Sequence, residues 1–97
     1  MDVFDSDKPT KRFVAVFNDK KYYFGSPTGF TFVDGASKRV RENYRKRHYA
    51  NAAERHRIYN LIMSPALLSF YLLWNTPDLH ANIEILNKLL ERRPERR

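Results

Sequence analysis

SPALLSFYLLW, residues 64–74, is the stretch of sequence that decides the fold. Ser64 followed by Pro65 is typical of a helix start, because a serine side chain accepts from a free backbone N–H group and proline suits the first helical position. The residues after Pro65 are apolar on nearly every side of a helix, and such a helix belongs inside a core. The stretch therefore predicts a central helix whose core residues include Leu68, Phe70, Leu72 and Trp74.

Further helices are predicted on both sides of this stretch. Thr76-Pro77-Asp78 is a second start signal, and it predicts a helix from Pro77 to about Arg92. Its apolar residues recur at helical spacing and predict one buried face: Leu79, Ile83, Leu86 and Leu90. Upstream, cap candidates in residues 34–37 precede a predicted helix from Lys38, and a second helical stretch covers residues 52 to about 63.

The first third of the chain has the composition of β-structure. Residues 13–17 and 21–24 are rich in aromatic and β-branched side chains, and Asn18 and Asp19 interrupt them, which predicts a β-hairpin. Residues 30–33 are a candidate third strand. The predicted fold is a small, single α+β domain with an N-terminal hairpin, or three strands, packed on three to four helices. Its predicted parts are a flexible acidic arm at 1–11, the domain at 12–92 and a basic tail at 93–97.

Several classes of function lack their signature residues. The 97 residues include no cysteine, so a disulfide framework and a thiolate zinc site are excluded. His48, His56 and His80 do not have the spacing of a metal site, and no phosphate loop, nucleophile elbow or paired acid motif is present. Three acids are interpreted as cap and ion-pair residues: Asp34, Glu42 and Glu54. We therefore predict no enzyme, no metal, no cofactor and no small-molecule substrate.

The twenty uncharged residues between Arg57 and Asp78 have the length of a membrane span. Polar residues and prolines interrupt them, however, and the densest part is residues 64–74, which is the length of a buried helix. Membrane contact is therefore not expected. The acidic start of the chain does not resemble a secretory signal, so we expect synthesis in the cytoplasm of the cell.

The net charge of +7 is concentrated in residues 34–60, which carry +5. Val40, Tyr44 and His48 lie four residues apart, so they form the predicted packing face of the helix that starts at Lys38. The cations on its remaining arc form the predicted partner-binding surface: Lys38, Arg39, Arg41, Arg45, Lys46 and Arg47. An acidic protein face, a nucleic acid and simple solvation each account for such an arc.

Four sequence elements are similar to those of a family of small basic proteins of large nucleocytoplasmic DNA viruses, including chlorella viruses and giant viruses of amoebae. The elements are, in order, Phe24-Gly25, Asp34, Tyr44-Arg45-Lys46-Arg47-His48 and Leu72-Leu73-Trp74-Asn75. The resemblance covers about residues 12–80. It implies a viral context and carries over no catalytic residues.

In a viral context, a small basic domain without catalytic residues is expected to belong to the virion. The predicted function is that of a minor capsid protein, which stabilises contacts between capsid units through its basic helix and apolar faces. Its expected partners are other capsid proteins of the same virion. The alternative is a basic protein that binds nucleic acid or packages the genome.

Overall fold

The computed structural model describes residues 1–92, which fold into an α+β domain. An antiparallel sheet of three strands has the order β1 (Asp2–Asp5), β2 (Phe13–Phe17) and β3 (Lys20–Phe24). The helices are α1 (Lys38–Ala50), α2 (Ala52–Tyr59), α3 (Pro65–Leu68), which continues as a π-helical segment (Ser69–Leu73), and α4 (Leu79–Arg92). The predicted fold class is confirmed. The predicted basic tail, residues 93–97, lies outside the described residues.

The β2–β3 hairpin forms where the sequence predicts it. Asn18 and Asp19 have φ values of 52° and 64°, which are the positive angles that a two-residue type I′ turn requires. Phe17 pairs with Lys20 next to the turn, and Phe13 pairs with Phe24 at the far end. This register directs Phe13 and Phe24 toward the helices, where their rings lie 5.6 Å apart.

The third strand of the sheet precedes the hairpin in the sequence and does not follow it. Residues 1–11 were expected to be a flexible arm, but Asp2–Asp5 pairs with the free edge of β2 and is part of the domain. Pairing satisfies backbone groups that the hairpin would leave unpaired, and it packs Val3 against the core. The candidate strand at residues 30–33 is wrong. Phe32–Asp34 is instead a 3-10 turn that begins after Thr31.

The helix that starts at Pro65 occupies the centre of the core. Ser64 caps it as predicted, because its hydroxyl accepts from the Leu67 N–H at 3.2 Å. Leu68 and Leu72 are fully buried, and Phe70 and Trp74 are only 6% exposed. Leu68, Leu72 and Trp74 belong to one buried cluster with residues of the sheet and with Leu86 and Leu90 of α4, so the helix joins the two halves of the fold.

The fully buried side-chain amide of Asn82 forms hydrogen bonds at the end of the π-helical segment. The Asn82 side chain of α4 donates to the Leu72 carbonyl at 2.9 Å and to the Thr76 carbonyl at 3.0 Å. Its oxygen accepts from the Thr76 N–H and hydroxyl groups at 3.1 and 2.6 Å. All of its polar atoms are therefore paired, which a buried amide requires. Helix α4 starts after Asp78, its cap residue, and not at Pro77 as predicted.

Asn51 separates α1 from α2. Its extended backbone ends α1, and its side-chain oxygen accepts from the Glu54 N–H at 3.1 Å, which caps α2. Helix α2 ends at Tyr59, earlier than predicted, because Leu61 adopts a positive φ of 54° that cannot continue a right-handed helix. None of the helices within residues 1–92 is both long and apolar enough to cross a bilayer.

Candidate interaction surface of helices α1 and α2

Helix α1 has a packed arc and an exposed arc, and both contain cations. Arg41, Tyr44, Arg45 and His48 form the packed arc, where each side chain is at least partly buried. The exposed arc has four of the six cations that were predicted to bind a partner: Lys38, Arg39, Lys46 and Arg47. Val40 was expected on the packing face but is 46% exposed.

Arg45 belongs to the fold and not to the predicted partner-binding surface. Its Nη1 atom donates to the carbonyl of Trp74 at 3.0 Å and to that of Phe70 at 3.4 Å. Its guanidinium lies 3.9 Å above the centre of the Phe70 ring, which adds a cation–π contact. Burial lowers the pKa of Arg45, but an arginine remains charged at neutral pH.

Arg41 has a similar structural role. Its Nε atom donates to the Asn75 carbonyl at 2.8 Å, and Nη1 pairs with Glu42 at 2.5 Å. Its guanidinium also lies 5.4 Å from the centre of the Phe32 ring. The assignment of Arg41 and Arg45 to the partner-binding surface is therefore corrected. The carbonyls at the end of a helix lack partners and carry partial negative charge, which is why arginine side chains turn inward here.

Tyr44 and His48 lie on the packed arc, as the spacing predicts. The Tyr44 ring stacks on Trp74 with 4.2 Å between centroids and 12° between planes. The His48 ring lies 4.0 Å from that of Tyr44, and its Nδ1 atom is next to Glu54 Oε2 of α2. Burial raises the pKa of the Tyr44 hydroxyl. Tyr44, His48 and Glu54 border a cleft of about 370 Å³ between α1, α3 and the loop after β3.

The interpretation of the three acids as cap and ion-pair residues is confirmed. The Asp34 carboxylate accepts hydrogen bonds from both terminal nitrogens of Arg12, at 2.6 and 2.5 Å. It also accepts from the Thr31 N–H at 2.9 Å. The Arg12 guanidinium holds the pKa of Asp34 well below its usual range. Glu42 pairs with Arg41, and Glu54 Oε2 lies next to His48 Nδ1. The acids close to α1 are therefore already paired within the domain.

The exposed arc of α1 is left with unpaired positive charge. The side chains of its four cations form no hydrogen bond or ion pair with any residue of the described chain. Exposed Arg55 and Arg57 extend the charge onto α2. Since the packed arc fixes the helix to the core, the charges stand on a rigid support, and the surface suits an anionic partner.

The sequence analysis did not predict a second feature, which lies on α2. Ile58 is buried, but Tyr59 is 75% exposed, since consecutive residues of a helix point about 100° apart. Tyr59 and Tyr49 line a groove of about 350 Å³ together with Ala52, Arg55, His56 and Asn60. The spacing of residues 52, 55, 56 and 59 was the available signal, because it places them on one face of a helix.

Among the described residues, no three His, Asp or Glu side chains come close enough together to hold a metal ion. The 370 Å³ cleft has a mixed lining of hydroxyl groups, the Lys11 amine, the His48 imidazole and the Glu54 carboxylate. The cations of α1 and the groove of α2 are therefore the features of the molecule that best suit a partner.

Comparison with known proteins gives the family. Residues 1–48 match DUF5754, a family of unknown function. Over 75 residues, the chain is 36% identical to an uncharacterised protein of Acanthamoeba polyphaga mimivirus. The aligned stretch covers 71% of the chain and 75% of the mimivirus protein. The chain belongs to the same giant-virus family. No solved structure matches it significantly.

Membership of this family agrees with the viral part of the resemblance found in the sequence. The family match begins at residue 1 and therefore includes β1, which the resemblance over residues 12–80 left out. It also includes most of α1, up to His48. The family thus shares the segment that carries the exposed cations in this chain.

Proposed function

We propose that the protein is a non-enzymatic structural protein of a virus particle, located in the virion as a minor capsid protein. In this role the exposed arc of α1 docks on an acidic face of a neighbouring capsid protein. The observation that carries the proposal is the division of α1 into two arcs. One arc is fixed to the core, and the other presents Lys38, Arg39, Lys46 and Arg47 without partners in residues 1–92.

The shape of the surface supports docking over catalysis. The four cations are exposed on a helix of 13 residues, and the cavity that Lys38 borders is not lined by the other three. A convex row of charges can orient a partner and speed association, but it cannot surround a substrate. Kinship with a giant-virus protein supplies the viral setting.

Charge reversal on the exposed arc tests the proposal. The variant Arg39→Glu with Lys46→Glu changes two exposed cations and leaves the packed arc intact. We expect it to reduce cofractionation with capsid shells from which the genome has been removed, and to do so most at low salt because exposed charges are screened at high salt. The matched control is Lys88→Glu with Arg92→Glu, which makes the same charge change on exposed residues of α4.

The competing function is binding or packaging of the viral genome by the same cations. It predicts that binding of the Arg39→Glu, Lys46→Glu variant to duplex DNA collapses while its cofractionation with empty shells stays unchanged. The proposed capsid role predicts the reverse. Equal losses in the test variant and in the α4 control would show that only net charge matters, and would contradict docking through α1.

A further inference from the structure

The groove of α2 combines aromatic rings with positive charge. Ala52, Arg55, His56 and Tyr59 of α2 line one wall of the groove, on a face of the helix next to buried Ile58. Tyr49, from the last turn of α1, forms the other wall, and the break at Asn51 brings the two walls together. The groove is thus a composite of two helices and has a volume of about 350 Å³.

Both aromatic walls are accessible to a flat ligand. Tyr59 is 75% exposed and Tyr49 is 41% exposed. The Tyr49 ring also packs at 6.3 Å from the Phe70 ring, so this wall is anchored to the core. A flat ligand on the Tyr59 ring would cover apolar surface that water now contacts, and the anchored Tyr49 ring would lose little entropy as the opposite wall.

The polar groups of the groove are held in place before any ligand arrives. Arg55 Nη1 donates to the Tyr49 carbonyl at 3.0 Å, which positions the guanidinium across the junction of the two helices. The Asn60 amide donates to the His56 carbonyl at 2.8 Å and lies 3.1 Å from its Nδ1 atom. An arginine has five N–H donors in a planar fork, and this contact uses only one side of it.

The positive charge of the groove favours a negatively charged ligand. None of the residues that line it is acidic, and Glu54 faces His48 on the other side of α2. An aromatic site for a cationic ligand would need negative or neutral surroundings. This site instead suits a ligand with a flat ring and a negative charge close to it.

We propose that the groove binds single-stranded nucleic acid, with one base stacked on Tyr59 and the adjoining phosphate on Arg55. Stacking between a base and an aromatic side chain tolerates any sequence, because every base has a π-face. In a duplex those faces are covered by neighbouring bases, so duplex DNA cannot use the ring. This inference goes beyond the capsid role and uses residues outside the exposed arc of α1.

Fluorescence anisotropy with a short labelled oligothymidylate tests the inference on the full chain. We expect Tyr59→Ala to weaken binding about tenfold or more, since stacking on one aromatic ring is worth that much, and Tyr59→Phe to retain it. The matched control is Phe30→Ala, which removes another exposed aromatic ring, 65% exposed and outside the groove. It should bind as tightly as the unchanged protein.

Several results would overturn the inference. One is the absence of measurable binding to the oligothymidylate by the unchanged protein. Another is equal affinity of the Tyr59→Ala and Phe30→Ala variants. A third is binding of a duplex of the same length as tightly as the single strand, which would mean that phosphate attraction alone is responsible. Because Tyr59 is exposed, its variants keep the fold, which circular dichroism can verify.

Discussion

Arg45 and Arg39 belong to the same helix and differ only in the arc on which they lie. Arg45 donates to two main-chain carbonyls and covers an aromatic ring, whereas Arg39 is exposed to solvent. The comparison teaches that the charge of a side chain does not determine its role. What determines it is whether free acceptors lie within reach, and the end of the π-helical segment places such carbonyls next to Arg41 and Arg45.

Removing the support of the packed arc should have the largest effect on stability. Trp74→Ala takes away the ring on which Tyr44 stacks and leaves a cavity next to Leu68 and Leu72. We expect the free energy of unfolding to fall by about 3–5 kcal/mol, as for other buried aromatic residues. Urea unfolding followed by circular dichroism is the measurement, because the variant lacks the single tryptophan. A loss below about 1 kcal/mol would place this helix at the periphery.

Loss of the ion pair between Arg12 and Asp34 should have the next largest effect on the free energy of unfolding. Asp34→Asn removes charge-assisted hydrogen bonds and should cost about 2 kcal/mol at neutral pH. Because Arg12 lowers the pKa of folded Asp34, the pair gives its full stability above the unfolded pKa of about 3.9 and loses it as pH falls through the folded pKa. The difference between the two proteins should therefore shrink in acid.

Unfolding of both proteins at neutral pH and at several acidic pH values checks this expectation. Glu42→Gln is the matched control, since Glu42 is 57% exposed and its pair with Arg41 lies at the surface. It should change the free energy of unfolding by less than about 0.5 kcal/mol. A pH-independent loss in Asp34→Asn would mean that the carboxylate charge contributes nothing.

The two arcs of α1 can be compared directly with a pair of identical substitutions. Arg45→Met keeps most of the side-chain volume but removes the donors to the Trp74 and Phe70 carbonyls, and should cost about 1–2 kcal/mol. Arg39→Met on the exposed arc should change stability by less than about 0.5 kcal/mol. Thermal or urea unfolding measures both. Equal effects of the two variants would abolish the distinction between the arcs.

Local sequence patterns were sufficient for the parts of the fold that form locally. Asn18 and Asp19 specify their own turn, and Ser64 with Pro65 specifies a helix start, so the hairpin and the central helix could be predicted. Strand β1 could not, because a four-residue strand depends on the edge of β2 and not on its own composition. The inward turn of Arg41 also depends on an acceptor 34 residues further along the chain.

The candidate surface was predictable in part for the same reason. A row of cations at helical spacing is visible in the sequence, so four of the six residues assigned to it do lie on the exposed arc. Arg41 and Arg45 are indistinguishable from them in sequence, since nothing local marks the carbonyls that they meet. The α2 groove needs Tyr49 from a different helix, and the angle at Asn51 that brings it there is not encoded by periodicity.

The single residue between α1 and α2 has a consequence for how sequences of this kind can change length. Asn51 is the last cap of one helix and the first cap of the next, so no spare residue absorbs an insertion. One added residue within the first turn of α2 would rotate all that follows by about 100°. Ile58 would leave the core, and the groove would lose a wall. Homologous chains should therefore vary in length at the Gly25–Gly29 loop, and keep this junction at constant length.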